Sequence, residues 1–170
     1  MSKNYFFKIL TAGEGGVGKT TLLCRYVDGQ FKSDTKMTVG VQFFAKEVIL
    51  SENHCILQIW DFGGQEHFRT LLKDYIAGAK GALLLFDLTR PNSLNNIEEW
   101  VKICRGKNEE LPILFIGTKL DLVEDRIIDP DYISEIRERH GFFDYIEISS
   151  KTGENVKKAF RKLVKKILSC

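Results

Sequence analysis

Gly13-Glu14-Gly15-Gly16-Val17-Gly18-Lys19-Thr20 is the stretch from which the fold of this 170-residue chain can be read. It fits the pattern G-x-x-x-x-G-K-[ST] without a gap. Before it, Tyr5 to Leu10 is a short apolar run closed by Thr11, Ala12 and Gly13; after it, Thr20 to Val27 has helical spacing. Strand, glycine-rich loop and helix are therefore predicted in that order. Such glycines let successive backbone N–H groups converge on an anion, and the helix N-terminus adds positive potential. In a loop of this type Lys19 reaches the β- and γ-phosphates of a nucleotide and Thr20 offers its hydroxyl to Mg²⁺. The loop by itself does not choose between ATP and GTP, or between hydrolase and kinase.

Working outward, Val41 to Leu50 and Cys55 to Asp61 are β-branched and aromatic runs that predict a hairpin across Ser51, Glu52, Asn53 and His54. Gly81 to Asp87 and Ile113 to Gly117 are nearly continuous apolar runs, the mark of strands covered on both faces, and each ends on residues of chemical interest. Between them Ile97, Trp100, Val101 and Cys104 recur at helical spacing. Asp129, Pro130 and Gly141 supply an N-cap, a first-turn proline and a C-terminal glycine for a further helix. A last strand, Tyr145 to Ile148, precedes a helix with the apolar set Val156, Phe160, Leu163, Val164 and Ile167. Alternating strands and helices predict an α/β fold: a mostly parallel six-stranded sheet with one antiparallel edge strand and about five helices on both faces. Ligands of such sheets bind at the carboxyl ends of the strands.

Composition sets the outer bounds. Hydrophobic residues make up 44% of the chain and charged residues 28%, ordinary for one compact domain, so residues 1–170 are expected to form a single domain. Lysine and arginine total 25 against 23 acidic residues, a net charge of +2, so no global field points to nucleic acid. Apolar runs such as Ala82 to Phe86 fall far short of the roughly 20 residues of a membrane span, and Met1 to Leu10 carries lysines where a signal core would lie. A soluble, cytoplasmic protein is expected. Cys24, Cys55, Cys104 and Cys170 are far apart, which suggests neither a zinc site nor a disulfide framework and fits a reducing compartment.

A second element bears on the base. Thr118-Lys119-Leu120-Asp121 follows a predicted strand. A carboxylate at Asp121 can accept two hydrogen bonds side by side from guanine N1–H and its 2-amino group, whereas adenine presents an acceptor at N1. Guanine is the base such a residue selects, against the plainer reading of an acid that forms a turn or caps a helix after a strand. A P-loop kinase or ATPase would leave that use of Asp121 without a purpose.

With these motifs in order, the sequence resembles the small GTPases of the Ras superfamily along essentially its whole length, and looks closest to the Rab branch. The fold implied is the P-loop NTPase small G-domain. Phe31 is similar to the aromatic that flanks the base in that family. Thr38-Val39-Gly40-Val41-Gln42-Phe43 resembles switch I, Trp60-Asp61-Phe62-Gly63-Gly64-Gln65-Glu66 resembles switch II, and Ser149-Ser150-Lys151 resembles the loop whose backbone recognises the guanine oxygen. The resemblance implies a nucleotide site of Gly15, Gly16, Val17, Gly18, Lys19, Thr20 and Thr21, joined by Phe31, Thr38, Gly64, Thr118, Lys119, Asp121, Ser149, Ser150 and Lys151. Mg²⁺ would be held by Thr20, Thr38 and, through a water, Asp61. The catalytic set implied is Gln65, which positions the attacking water, with Lys19 and Thr38. Gly15 leaves space beside the phosphates for an arginine from an activating protein. Phe43, Trp60 and Tyr75 resemble the aromatic surface that Rab proteins present to effectors, against the plainer reading that strand aromatics pack in a core.

The resemblance also implies a molecular switch. Such a protein binds GTP, hydrolyses it slowly to GDP and phosphate, and exposes switch I and switch II to effectors, in a trafficking- or signalling-type role. In the Ras case, unaided turnover is on the order of 10⁻⁴ per second and an activator raises it about 10⁵-fold. An effector, an exchange factor and a GTPase-activating protein are the partners implied. The alternative is a guanine-nucleotide-binding module without significant hydrolysis. Three departures stand out. Phe62 and Gly63 replace the Thr-Ala usual in Rab switch II, giving a D-F-G-G-Q that also resembles Roco GTPase domains, and the extra glycine is expected to loosen that loop. Thr118 stands where Asn is commoner. Cys170 is a lone terminal cysteine without a lipidation box. Lys157, Lys158, Arg161, Lys162, Lys165 and Lys166 make one face of the last helix basic. Peripheral contact with an anionic membrane is one reading of that face; a solvated helix face is the favoured one.

Overall fold

The computed structural model describes residues 2–32, 40–63 and 72–170. Six strands, β1 (Lys3–Ala12), β2 (Val41–Leu50), β3 (Asn53–Phe62), β4 (Ala79–Asp87), β5 (Ile113–Thr118) and β6 (Asp144–Glu147), form one sheet in the order β2-β3-β1-β4-β5-β6. Every neighbouring pair is parallel except β2 with β3, so the antiparallel edge is the predicted hairpin. Four α-helices are present among the described residues: α1 (Lys19–Asp28), α2 (Ile97–Arg105), α3 (Pro130–His140) and α4 (Val156–Leu168). Among the described residues that is one fewer than the count of about five expected for the chain. Leu72–Asp74, Pro91–Leu94 and Leu120–Asp125 form only short 3₁₀ turns, too brief to develop the bond ladder of an α-helix.

Side-chain alternation explains why helices lie on both faces. Ile9, Leu83, Leu85, Leu114 and Ile116 point into one apolar layer with Leu22 and Leu23 of α1 and Phe160, Leu163 and Val164 of α4. Their sequence neighbours Leu10, Leu84, Phe86, Ile113 and Phe115 point the opposite way, into a second layer with Trp100 and Cys104 of α2 and Ile133 and Ile136 of α3. A strand's period of two sends adjacent residues to opposite faces, so runs apolar at every position need cover on both.

The helix signals act as read. The Asp129 side chain accepts from the Asp131 N–H at 2.9 Å, Pro130 opens α3, and Gly141, at φ 63°, closes it. The hairpin is tighter than expected. Asn53 and His54 belong to β3, opposite Leu50 and Ile49, leaving a turn of Ser51 and Glu52. His54 lies against Glu47, and that cross-strand partner lets a polar pair continue the ladder. No helix among the described residues is long and apolar enough to cross a membrane.

Candidate nucleotide site

Because β1, β3, β4 and β5 run parallel, their carboxyl ends gather at one edge of the sheet. The registers set Thr11 beside Asp61 and Asp87 beside Thr118. Successive connections from β1 run first to the β3 side and then to the β4 side, which opens a crevice at that edge.

The loop from Gly13 to Gly18 closes on itself. Lys19 is buried and its Nζ donates to the carbonyls of Gly13 at 2.9 Å and Glu14 at 2.7 Å, so the ammonium lies across the loop. Gly13, at φ 141°, passes so near β4 that a Cβ there would stand 2.4 Å from the Leu85 carbonyl oxygen. Only glycine fits. Val17 is wholly buried in the layer under α1, which fixes the far arm of the loop to the core. The helix begins at Lys19, so its positive end faces the loop.

Next to the loop, Thr20 Oγ1 donates to Asp61 Oδ2 at 2.5 Å, and Asp61 is fully buried at the end of β3. A hydroxyl and a carboxylate are hard oxygen donors of the kind Mg²⁺ takes when phosphates and waters complete its shell. The residues present therefore fit the expected ion. No group of three His, Cys, Asp or Glu that could hold a metal occurs among the described residues.

The second motif lies on the same edge and is bonded to the loop. Thr118 is buried, its hydroxyl 2.6 Å from Val17 O and 3.0 Å from Phe86 O. Asp121 is exposed, and its Oδ1 accepts from Ser149 Oγ at 2.8 Å. Ser149 is itself buried and tied into its loop by Gly153 N and Thr152 N. Ser150 is half-buried and Lys151 exposed beside it. Lys119 adopts φ 65° and its Nζ meets Asp87 Oδ2 at 2.7 Å.

Thus Lys19, Thr20, Asp61, Thr118, Lys119, Asp121 and Ser149 are brought together. Phe31, just beyond the Gly29 that ends α1, is partly exposed. Thr38, Gly64 and Gln65 lie outside the described residues. At the aromatic surface Phe43 meets Trp60 edge-on at 4.4 Å, and Trp60 lies 5.8 Å from Tyr75. Phe43 and Tyr75 keep about half their surface, 54% and 42%, so they are not core residues. Phe62, by contrast, is fully buried in the second layer, and the Gly63 N–H bonds Gly40 O at 2.8 Å, so the start of the loop expected to loosen is pinned.

The sequence model of the Ras family matches residues 8–169, the loop, both carboxylate motifs and the last helix included. This chain belongs to the Ras family. Its sheet and flanking helices are those of the small G-domain. Ras-family proteins are GTP-binding switches with GTPase activity, bind GTP and GDP with Mg²⁺, and work with regulators and effectors. Sequence reasoning missed Asp87 in this Ras-family site. Its wholly buried carboxylate accepts from Thr89 N and Oγ1 at 2.9 and 2.7 Å and fixes Lys119 beside the base motif. An acid ending the apolar run Gly81 to Phe86 was the available signal.

Proposed function

We propose that this Ras-family protein is a slow GTP hydrolase used as a switch, Rab-like in its effector surface and acting in a trafficking- or signalling-type role. The observation that carries the reading is the junction of the two motifs: the phosphate loop and the base-selecting strand end share one crevice, joined through Thr118 and Val17.

Gly15, Gly16, Val17, Gly18 and the start of α1 with Thr21 would cradle the phosphates, with Lys19 moved from the loop carbonyls onto the terminal phosphates. The ammonium is already within reach and would exchange neutral acceptors for anionic ones, a stronger bond. Asp121, oriented by Ser149 Oγ, would select guanine; Lys119, with Phe31 on the other side, would flank the ring, and Ser150 and Lys151 would close over its oxygen. Thr20, Thr38 and, through a water, Asp61 would hold Mg²⁺, which when bound neutralises charge on the β- and γ-phosphates. Gln65 would orient the attacking water. Gly64 and Thr38 would sense the γ-phosphate, so that its loss releases both switch segments. Phe43, Trp60 and Tyr75 supply rigid aromatic area for an effector. The single-domain organisation of residues 1–170 belongs to the same proposal.

The test is direct. Nucleotide released by heating the purified protein should be GDP or GTP, and excess GTP but not ATP should displace a fluorescent guanine nucleotide. Single-turnover hydrolysis should slow in Gln65→Leu. Retained adenine nucleotide overturns the base assignment, and equal rates in the two proteins remove Gln65 from the mechanism.

A further inference from the structure

A carboxylate inside a loop that gathers phosphate opposes its purpose, since like charges a few ångströms apart repel. Glu14 is such a carboxylate, the residue before Gly15. The structure shows where it goes. Its Oε1 accepts from Asn96 Nδ2 and from Trp100 Nε1, each at 3.0 Å. Asn96 immediately precedes α2 and Trp100 lies in its first turn, with the Trp100 N–H bonded to Asn96 O at 3.0 Å. The acid is thus turned toward the amino end of a helix, where the backbone dipole favours negative charge. Trp100 is fully buried among β-strand side chains of the second layer, so the donor is rigid.

A second grip lies alongside. Arg90 Nη1 donates to Gly15 O at 3.3 Å, and its backbone is held by Asp87 O and by Ser93. Together with Lys19, this turns the carbonyls of Gly13, Glu14 and Gly15 toward cations.

We propose that Glu14, Asn96 and Trp100 form a positioning node that ties the phosphate loop to α2, so that the hold on nucleotide depends on where α2 lies. This inference rests on the guanine-nucleotide reading of the same loop.

The experiment measures dissociation of a fluorescent GDP analogue from the full chain in Mg²⁺, together with the two indole N–H signals in a ¹H–¹⁵N spectrum. The chain has only Trp60 and Trp100, and Trp60→Phe assigns them. Glu14→Ala should release the analogue about tenfold faster, the factor carried by one charge-assisted hydrogen bond, and should move the Trp100 indole signal upfield. Glu14→Gln keeps the acceptor and should recover most of both effects. Should Glu14→Ala not fold, Asn96→Ala removes one donor from a half-exposed position and should shift both readouts the same way. Dissociation unchanged in these variants, or a Trp100 signal indifferent to nucleotide, overturns the node while leaving the wild-type affinity intact. A wild-type chain that takes up no guanine nucleotide overturns the underlying reading and this one with it.

Discussion

Gly13→Ala is the sharpest perturbation of the phosphate loop. Its new methyl would stand 2.4 Å from the Leu85 carbonyl oxygen and 3.3 Å from Val17 Cγ2. Ordinary heavy-atom contacts lie near 3.5 Å, so the overlap with the oxygen is about 1 Å. The obstacle cannot rotate away: it is backbone of β4, whose residue Leu85 pairs with Ile116 of β5 in the middle of the sheet. At φ 141° the alanine would carry backbone strain as well. Strain of about 1–3 kcal/mol and overpacking of about 1–3 kcal/mol give a loss of about 2–6 kcal/mol. A chain of 170 residues has on the order of 8–25 kcal/mol to lose, so the variant should fold with a clearly lowered urea midpoint. Gly81→Ala is the control. Its methyl would meet Leu163 Cδ1 at 2.9 Å and Ile167 Cδ1 at 3.0 Å, side-chain ends that can turn, and the cost should be about 1 kcal/mol. Urea unfolding followed by circular dichroism, with equal slopes, reads both. A Gly13→Ala protein as stable as Gly81→Ala, or within about 0.5 kcal/mol of the parent, would refute the steric argument.

Two further outcomes are expected from burial and charge. Burial pushes the Cys104 thiol up to about 12 and raises those of Cys24 and Cys55, whereas Cys170 is exposed. The native protein at pH 8 should therefore give a thiol reagent one fast equivalent, from Cys170, with the remaining three reacting only on unfolding; modification of Cys104 as fast as Cys170 contradicts this. Burial pushes the Asp144 carboxyl up, but the bond from Lys162 at 2.6 Å, the Tyr145 N–H and the charges of Lys162 and Arg137 outweigh it and hold the group below its ordinary value. A depressed acid stabilises the fold above its unfolded pKa, and the contribution is lost as pH falls through the folded one. Asp144→Asn should thus cost about 1 kcal/mol at pH 7, with a deficit that closes in strong acid. An equal deficit at both pH values would mean that the side chain acts by shape alone.

Much of the fold and site is legible in the chain. The phosphate loop is local: its glycines, Lys19 and Thr20 are contiguous, and their chemistry depends on spacing along the backbone. The same holds for the caps of α3 and for β4 and β5, whose unbroken apolar runs require cover on two faces. The hairpin turn is shorter than its composition suggests, because Asn53 and His54 look like loop residues until Leu50 and Ile49 are known to lie opposite them.

The sequence by itself supplied residues of the types suited to phosphate, to guanine and to a metal ion, since those capacities belong to side-chain chemistry and to neighbours within a few positions. Tertiary structure alone decided how they are held. Thr118 reaches Val17 across 101 residues, Trp100 reaches Glu14 across 86, and Arg90 reaches Gly15 across 75. Parallel strand order brings those distant segments to one edge of the sheet. No local pattern encodes which donor meets a given acceptor there, because the pairing exists only once the strands are laid side by side.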